Sequence, residues 1–212
     1  MSSPEKYSKY KIKYLDLQRT QKLSSYDQPQ INTELFSVLN LSDYYNIIEK
    51  LVNILGDRTN SEISEIINFK NKCTGETILL LASQKGYTEI VNLLLDKRAN
   101  PNISNSGNTS LIRACNSGYT EIVKLLLDKG ADYNITDVAG YNPLYIACNN
   151  GYTKIVKLLL DNGANPNISK NGKTALIRAY KVDILKLLNY YLIMELIIKI
   201  YKVIDIKCNF LY

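Results

Sequence analysis

Between Gly75 and Thr174 the apolar positions of the chain recur in blocks, each opened and closed by polar residues and glycine. "GETILLLASQKGYTEIVNLLLDKRANPN" from Gly75, "GNTSLIRACNSGYTEIVKLLLDKGADYN" from Gly107 and "GYNPLYIACNNGYTKIVKLLLDNGANPN" from Gly140 align without gaps, and "GKTALIRAYK" opens a fourth copy at Gly172. Thr77, Thr109, Asn142 and Thr174 are equivalent, at steps of 32, 33 and 32 residues, the longer step arising between Asn134 and Gly140. Within a copy, an apolar stretch with small residues (Leu111, Ala114, Cys115) predicts a short first helix. Gly118 ends it, because glycine tolerates a left-handed φ. "TEIVKLLLDKG" predicts a second helix, with Ile122, Leu125 and Leu126 on one face at i, i+3 and i+4. Gly130 closes that helix, and "ADYNITDVAG" makes an extended turn. Helices this short are marginal alone, so the stacking of equivalent faces must supply the core.

The stretch before the copies has a different pattern. Residues 33–69 predict two or three helices, with Ile47, Ile48, Leu51, Val52 and Leu55 forming an apolar face. A stack needs an atypical terminal unit to cover its open end, and 31–70 is read as that degenerate helical N-terminal cap. Residues 1–30 are polar and basic and hold two of the five prolines. Tyr7, Tyr10, Tyr14 and Leu17 recur at helical spacing there, on what is expected to be a solvated leader. The copies themselves occupy 71–181, divided at about 71–104, 105–137, 138–170 and a partial 171–181.

The fourth copy breaks after Lys181. "LIRAY" should lead within a few residues to Gly-Tyr, and the chain instead reads Val182-Asp183-Ile184. If each codon from Val182 onward lends its third base to the first two of the next, Met194 and Glu195 yield glycine with no freedom of choice. With permitted codons elsewhere, 182–197 becomes GYIEIIKLLFDNGAN, which agrees with the 151–165 sequence GYTKIVKLLLDNGAN at eleven of fifteen positions. Residues 182–212 are therefore expected to be a frameshifted helical tail. Its Ile184, Leu187 and Leu188 could lie where a second helix belongs, leaving other apolar residues bare. Glu195, Lys199 and Lys202 interrupt its apolar run, which argues against a membrane span.

Composition narrows the chemistry. The chain of 212 residues has no His, which removes Ser-His, Cys-His and His-zinc sites. Cys73, Cys115, Cys148 and Cys208 form no CxxC pair, so neither a metal nor another cofactor is expected. No Walker-type phosphate loop and no paired carboxylates in a plausible cleft appear, and the expectation is a protein that is not an enzyme and takes no small-molecule substrate. The net charge of +6 is concentrated at the ends: residues 1–30 carry six basic and three acidic groups, and 171–212 carry seven and three. That distribution argues against a nucleic-acid binder, which usually places its excess on the folded body. The opening MSSPEKYSKYKIKY has no apolar segment of the secretory kind, so the expected compartment is cytoplasmic or nuclear, with reduced thiols.

The repeated unit, from the Gly-x-Thr opening through "GYTEIVKLLLDKGADYN", resembles the ankyrin repeat family, over about residues 70–181. The departures are specific. The family's Thr-Pro-Leu-His tetrapeptide stands here as "TILL", "TSLI", "NPLY" and "TALI"; Gly-His becomes Gly-Tyr at Tyr87, Tyr119 and Tyr152; and Arg98 replaces the glycine after the second helix of the first copy, which should strain that turn. The resemblance implies an all-α solenoid of helix-turn-helix repeats joined by β-hairpin-like loops. The Ile-, Lys-, Asn- and Tyr-rich wording is also similar to ankyrin proteins of amoeba-infecting giant DNA viruses, which would place the protein in a host cell. The resemblance further implies a monomeric protein-interaction module whose partner is another protein. Carried over by position, the implied binding surface comprises Thr74, Glu76, Gln84 and Lys85; Asn105, Ser106, Asn108, Asn116 and Ser117; Val138, Ala139, Tyr141, Asn149 and Asn150; and Lys170, Asn171 and Lys173. The competing expectations are a decaying gene fragment without selected function and a basic-ended nucleic-acid-binding protein.

Overall fold

In the computed structural model the described residues are 34–37, 44–56, 58–167, 169–170, 173–175, 184–186, 188–194, 196–197 and 199. The leader, Asn171, the stretch 176–183 and residues 200–212, with Cys208, lie outside them. The chain divides into two units, Met1–Ile103 and Ser104–Tyr212.

In the first unit, α1 (Tyr44–Leu55) and α2 (Asn60–Ile67) precede the first copy. The buried face of α1 is Ile47, Leu51, Ile54 and Leu55; Ile48 and Val52 are only half-buried. The face is thus turned by part of a turn from the expected one. Thr59 caps α2 in a capping box. Its hydroxyl accepts from the Glu62 N–H at 3.3 Å, and the Glu62 carboxylate accepts from the Thr59 N–H at 2.8 Å. These hydrogen bonds hold the Glu62 carboxyl below its ordinary pKa. α3 (Ile78–Lys85) and α4 (Thr88–Asp96) form the helix pair of the first copy. The Asn100 N–H donates to Asn68 Oδ1 at 2.8 Å, which ties the loop after α4 to the end of α2.

The second unit holds α5 (Ser110–Ser117) and α6 (Thr120–Asp128), then α7 (Pro143–Asn150) and α8 (Thr153–Asp161). α5 packs on both α6 and α7, and α8 packs on both α6 and α7. Each second helix therefore touches two neighbours, and this explains why its buried set is wider than one stripe. Ile122, Val123, Leu126 and Leu127 are buried in α6, as are Ile155, Val156, Leu159 and Leu160 in α8. Leu125, expected on the buried face, is half-buried.

The same local devices recur in each copy. Thr77, Thr109 and Asn142 are N-caps, accepting from Leu80 N at 3.3 Å, Ile112 N at 3.3 Å and Tyr145 N at 2.8 Å. Side-chain oxygens there satisfy amides that have no partner inside the helix. Gly118 is the left-handed C-cap of α5 at φ 80°, and a Cβ on it would lie 2.8 Å from the Tyr152 ring. The Gly-Tyr substitution of the pattern thus has a packing consequence, since the Tyr152 ring rests against bare backbone. Cys115 and Cys148 occupy the same slot in neighbouring copies and are buried free thiols. Burial raises both pKa values, Cys148 to about 12.

β1 (Ser169–Lys170) and β2 (Lys173–Thr174) form an antiparallel hairpin at the start of the fourth copy. Beyond it the tail is helical at 184–186 and 188–194, with Ile184 and Leu188 fully buried. The Tyr191 hydroxyl hydrogen-bonds Asp161 Oδ1 at the end of α8, and the other Asp161 oxygen takes the Lys157 ammonium at 2.8 Å. Tyr190, Ile193, Met194, Leu196 and Ile197 remain exposed. No described helix is long and apolar enough to cross a membrane.

Candidate protein-interaction cleft

The second unit carries a half-open cleft of about 390 Å³, lined by Asn108, Ile112, Arg113, Asn116, Asp137, Tyr141, Tyr145, Ile146, Asn149 and Asn150. Two hairpin loops and the outer faces of two first helices position these groups.

The loop before α5 reverses in two residues. Asn105 and Asn108 exchange backbone hydrogen bonds at 3.0 and 2.9 Å. Ser106 and Gly107 between them both have positive φ, 49° and 77°, the combination a tight primed turn requires. Gly107 is also sterically obliged, because a Cβ there would lie 2.7 Å from the Thr136 carbonyl oxygen. The loop before α7 is one residue longer, and Asp137 organises it. The Asp137 N–H donates to the Tyr141 carbonyl at 3.0 Å, and Asp137 Oδ1 accepts from the Tyr141 N–H at 2.9 Å. Tyr141 is thereby laid over Tyr145 on the first turn of α7. The rings are parallel within 4° and their centroids are 4.2 Å apart.

The helices supply the rest. Arg113 and Ile146 lie one turn ahead of Asn116 and Asn149 on the same helical faces. The Asn150 amide donates to the Asn116 backbone oxygen at 3.2 Å and to its Oδ1 at 3.4 Å, and the Asn149 amide donates to Asn150 Oδ1 at 3.4 Å. The result is a run of linked carboxamides crossing from one copy to the next. Arg113 is half-buried, with its Nε shielded from solvent.

Of the residues expected on a binding surface, Asn108, Asn116, Tyr141, Asn149 and Asn150 come together here. Asn105 and Ser106 build the turn beside the cleft, and Val138 and Ala139 project at an exposed loop tip, Val138 being 74% accessible. Ser117 is half-buried. Thr74, Glu76, Gln84 and Lys85 belong to the first unit. Lys170 and Lys173 are register partners in the β1–β2 hairpin. Ile112, Arg113, Asp137, Tyr145 and Ile146 line the cleft without having been expected. Extending the asparagine positions back one helical turn would have found the helix residues among them. Tyr141 is consequently one of two aromatics on this surface.

The lining offers hydrogen-bonding, charged and stacking groups. Among the described residues no group of three His, Cys, Asp or Glu could hold a metal ion. In comparison with known families, the description "Ankyrin repeats (3 copies)" matches residues 37–137 and 135–198. No curated protein matches the chain.

Proposed function

We propose that this chain, which belongs to the ankyrin repeat family, is a non-enzymatic module that binds another protein through the cleft of its second unit and the flanking hairpin tips. Ankyrin repeats generally mediate protein–protein interaction. The observation that carries the reading here is the stacked Tyr141–Tyr145 pair beside the linked carboxamides of Asn116, Asn149 and Asn150. Aromatic side chains are over-represented among residues that dominate binding energy, and Tyr141 is held in place by Asp137 and by its own stacking partner. An amoeba-infecting giant DNA virus as the source, and the host cytoplasm or nucleus as the compartment, belong to the same proposal and rest on the wording of the sequence.

Affinity capture from infected host cells, run in parallel with the wild-type chain and Tyr141→Ala, tests it. Tyr141→Ala should weaken the captured partner by more than about 1 kcal/mol while leaving the thermal melt unchanged. Equal capture by both chains would overturn the cleft as the contact surface. Loss of capture only when residues 1–30 are removed would transfer the activity to the basic leader.

A further inference from the structure

Resting on that reading, we infer that the cleft takes a proline-rich segment of the partner in the polyproline II conformation, its rings against Tyr141 and its carbonyls on the asparagine side chains. Charge does not choose the ligand. Arg113 is the one cation and Asp137 the one anion among the lining residues. Both are engaged within the protein, Asp137 by the Tyr141 amide. A small-molecule pocket is mostly apolar and encloses its ligand, whereas this cleft is half open and lined mainly by polar groups. What is left to recognise a partner is a neutral surface of carboxamides beside an aromatic ring.

The hydrogen bonds among the carboxamides give that surface a polarity. The Asn149 amide donates to Asn150 Oδ1, and the Asn150 amide donates to Asn116 Oδ1 and to the Asn116 backbone oxygen. Each carboxamide has two N–H donors. The run therefore draws on the oxygens of Asn150 and Asn116, and leaves both side-chain N–H groups of Asn116 and one of Asn149 without a partner among the described residues. Asn116 and Asn149 are exposed. A surface rich in donors fits a chain rich in acceptors. A β-strand carries an N–H for every carbonyl and needs acceptors in equal number. Proline has no N–H, and the polyproline II backbone makes no internal hydrogen bonds, so its carbonyls are open to outside donors. Its rings dock on aromatic-lined grooves. Tyr141 is fixed by the Asp137 carboxylate and by the Tyr145 ring, and Ile146 adds an apolar edge to the same lining. A rigid ring that meets a rigid segment loses little conformational freedom on binding.

A random dodecapeptide display library panned on the full chain tests the assignment, with selected peptides then measured by fluorescence anisotropy. Peptides enriched in proline should emerge, and their affinity should fall at least tenfold on Tyr141→Ala. Asn116→Asp keeps the oxygen that accepts from Asn150 and removes both N–H donors. Asn149→Leu removes a donor at similar size without adding charge. Each should weaken the peptides about fivefold, the worth of one hydrogen bond, with the thermal melt unchanged. Selected peptides without proline enrichment that lose affinity on Tyr141→Ala would overturn the polyproline assignment and leave the protein-binding reading standing. Proline-rich peptides weakened by Tyr141→Ala but by neither asparagine variant would do the same. Peptides that bind all three variants as well as wild type would overturn both. Failure to select any peptide would overturn the polyproline assignment, and the capture experiment with Tyr141→Ala then decides the broader reading.

Discussion

Arg98 adopts φ 68° where its equivalents Gly130 and Gly163 adopt 80° and 92°. The turn after the second helix demands the left-handed region in every copy, and the first copy meets it with a side chain. For a residue other than glycine that conformation costs roughly 1–2 kcal/mol. Arg98→Gly should therefore raise stability by about 1 kcal/mol, less than the full strain because glycine also loosens the unfolded chain, visible as a higher Tm. Ser83 presents the opposite case. It fills the slot that Cys115 and Cys148 fill in the later copies, is fully buried, and its hydroxyl has no hydrogen-bond partner among the described residues. A desolvated hydroxyl without a partner costs about 1–3 kcal/mol. Ser83→Ala should consequently be neutral or stabilising in a urea titration; a loss above about 1 kcal/mol would mean that the hydroxyl is satisfied.

At the scale of the element, each helix depends on its neighbours. α6 and α8 are nine residues each, too short to persist alone in water. Their central leucines, Leu126 and Leu159, are completely buried. Leu126→Ala and Leu159→Ala should each cost about 2–5 kcal/mol, read as a lower midpoint of denaturant unfolding. Little change for both would contradict the stacking of α6 on α8. The capping residues act at the same scale. Thr77, Thr109 and Asn142 hold the first turn of their helices, so the Thr or Asn that opens each of these copies has a role even though the family's His is missing from the tetrapeptide.

At the scale of the molecule, the end of the stack is where sequence history and packing meet. We propose that residues 182–212 are read one base out of the frame of the copies before them. Ile184 and Leu188 are nonetheless buried, and Tyr191 engages the end of α8. A codon set rich in A and T yields Ile, Leu, Tyr and Lys in any frame, so an unselected tail can still be apolar enough to pack. Complete burial of one such side chain contributes about 1.5–3 kcal/mol. Deleting 182–212 should therefore lower Tm while leaving partner affinity within about threefold, roughly 0.65 kcal/mol. Sequencing the locus decides the origin. Codons at 182–197 that spell a repeat in the shifted frame, followed by further copies downstream, would bear the slip out; codons that spell none would overturn it.

The sequence alone determined the repeat, its period, its helix pairs and the glycines between them, because these follow from local spacing and from the backbone freedom of single residues. Half of the cleft was legible for the same reason: Asn108, Asn116, Tyr141, Asn149 and Asn150 sit at fixed offsets in the repeated unit. Only the tertiary structure decided the rest. Leu125 is half-buried while Val123 and Leu127 are buried, because each second helix packs against two neighbours and a single-helix periodicity describes only one. Tyr145 joins the surface because the loop at Asp137 folds Tyr141 onto it. Arg113 lines the cleft because the face of α5 turns toward α7 and the hairpin before it. Periodicity records which residues share a face of one helix; which faces meet is set by packing between helices, and that is where the cleft is made.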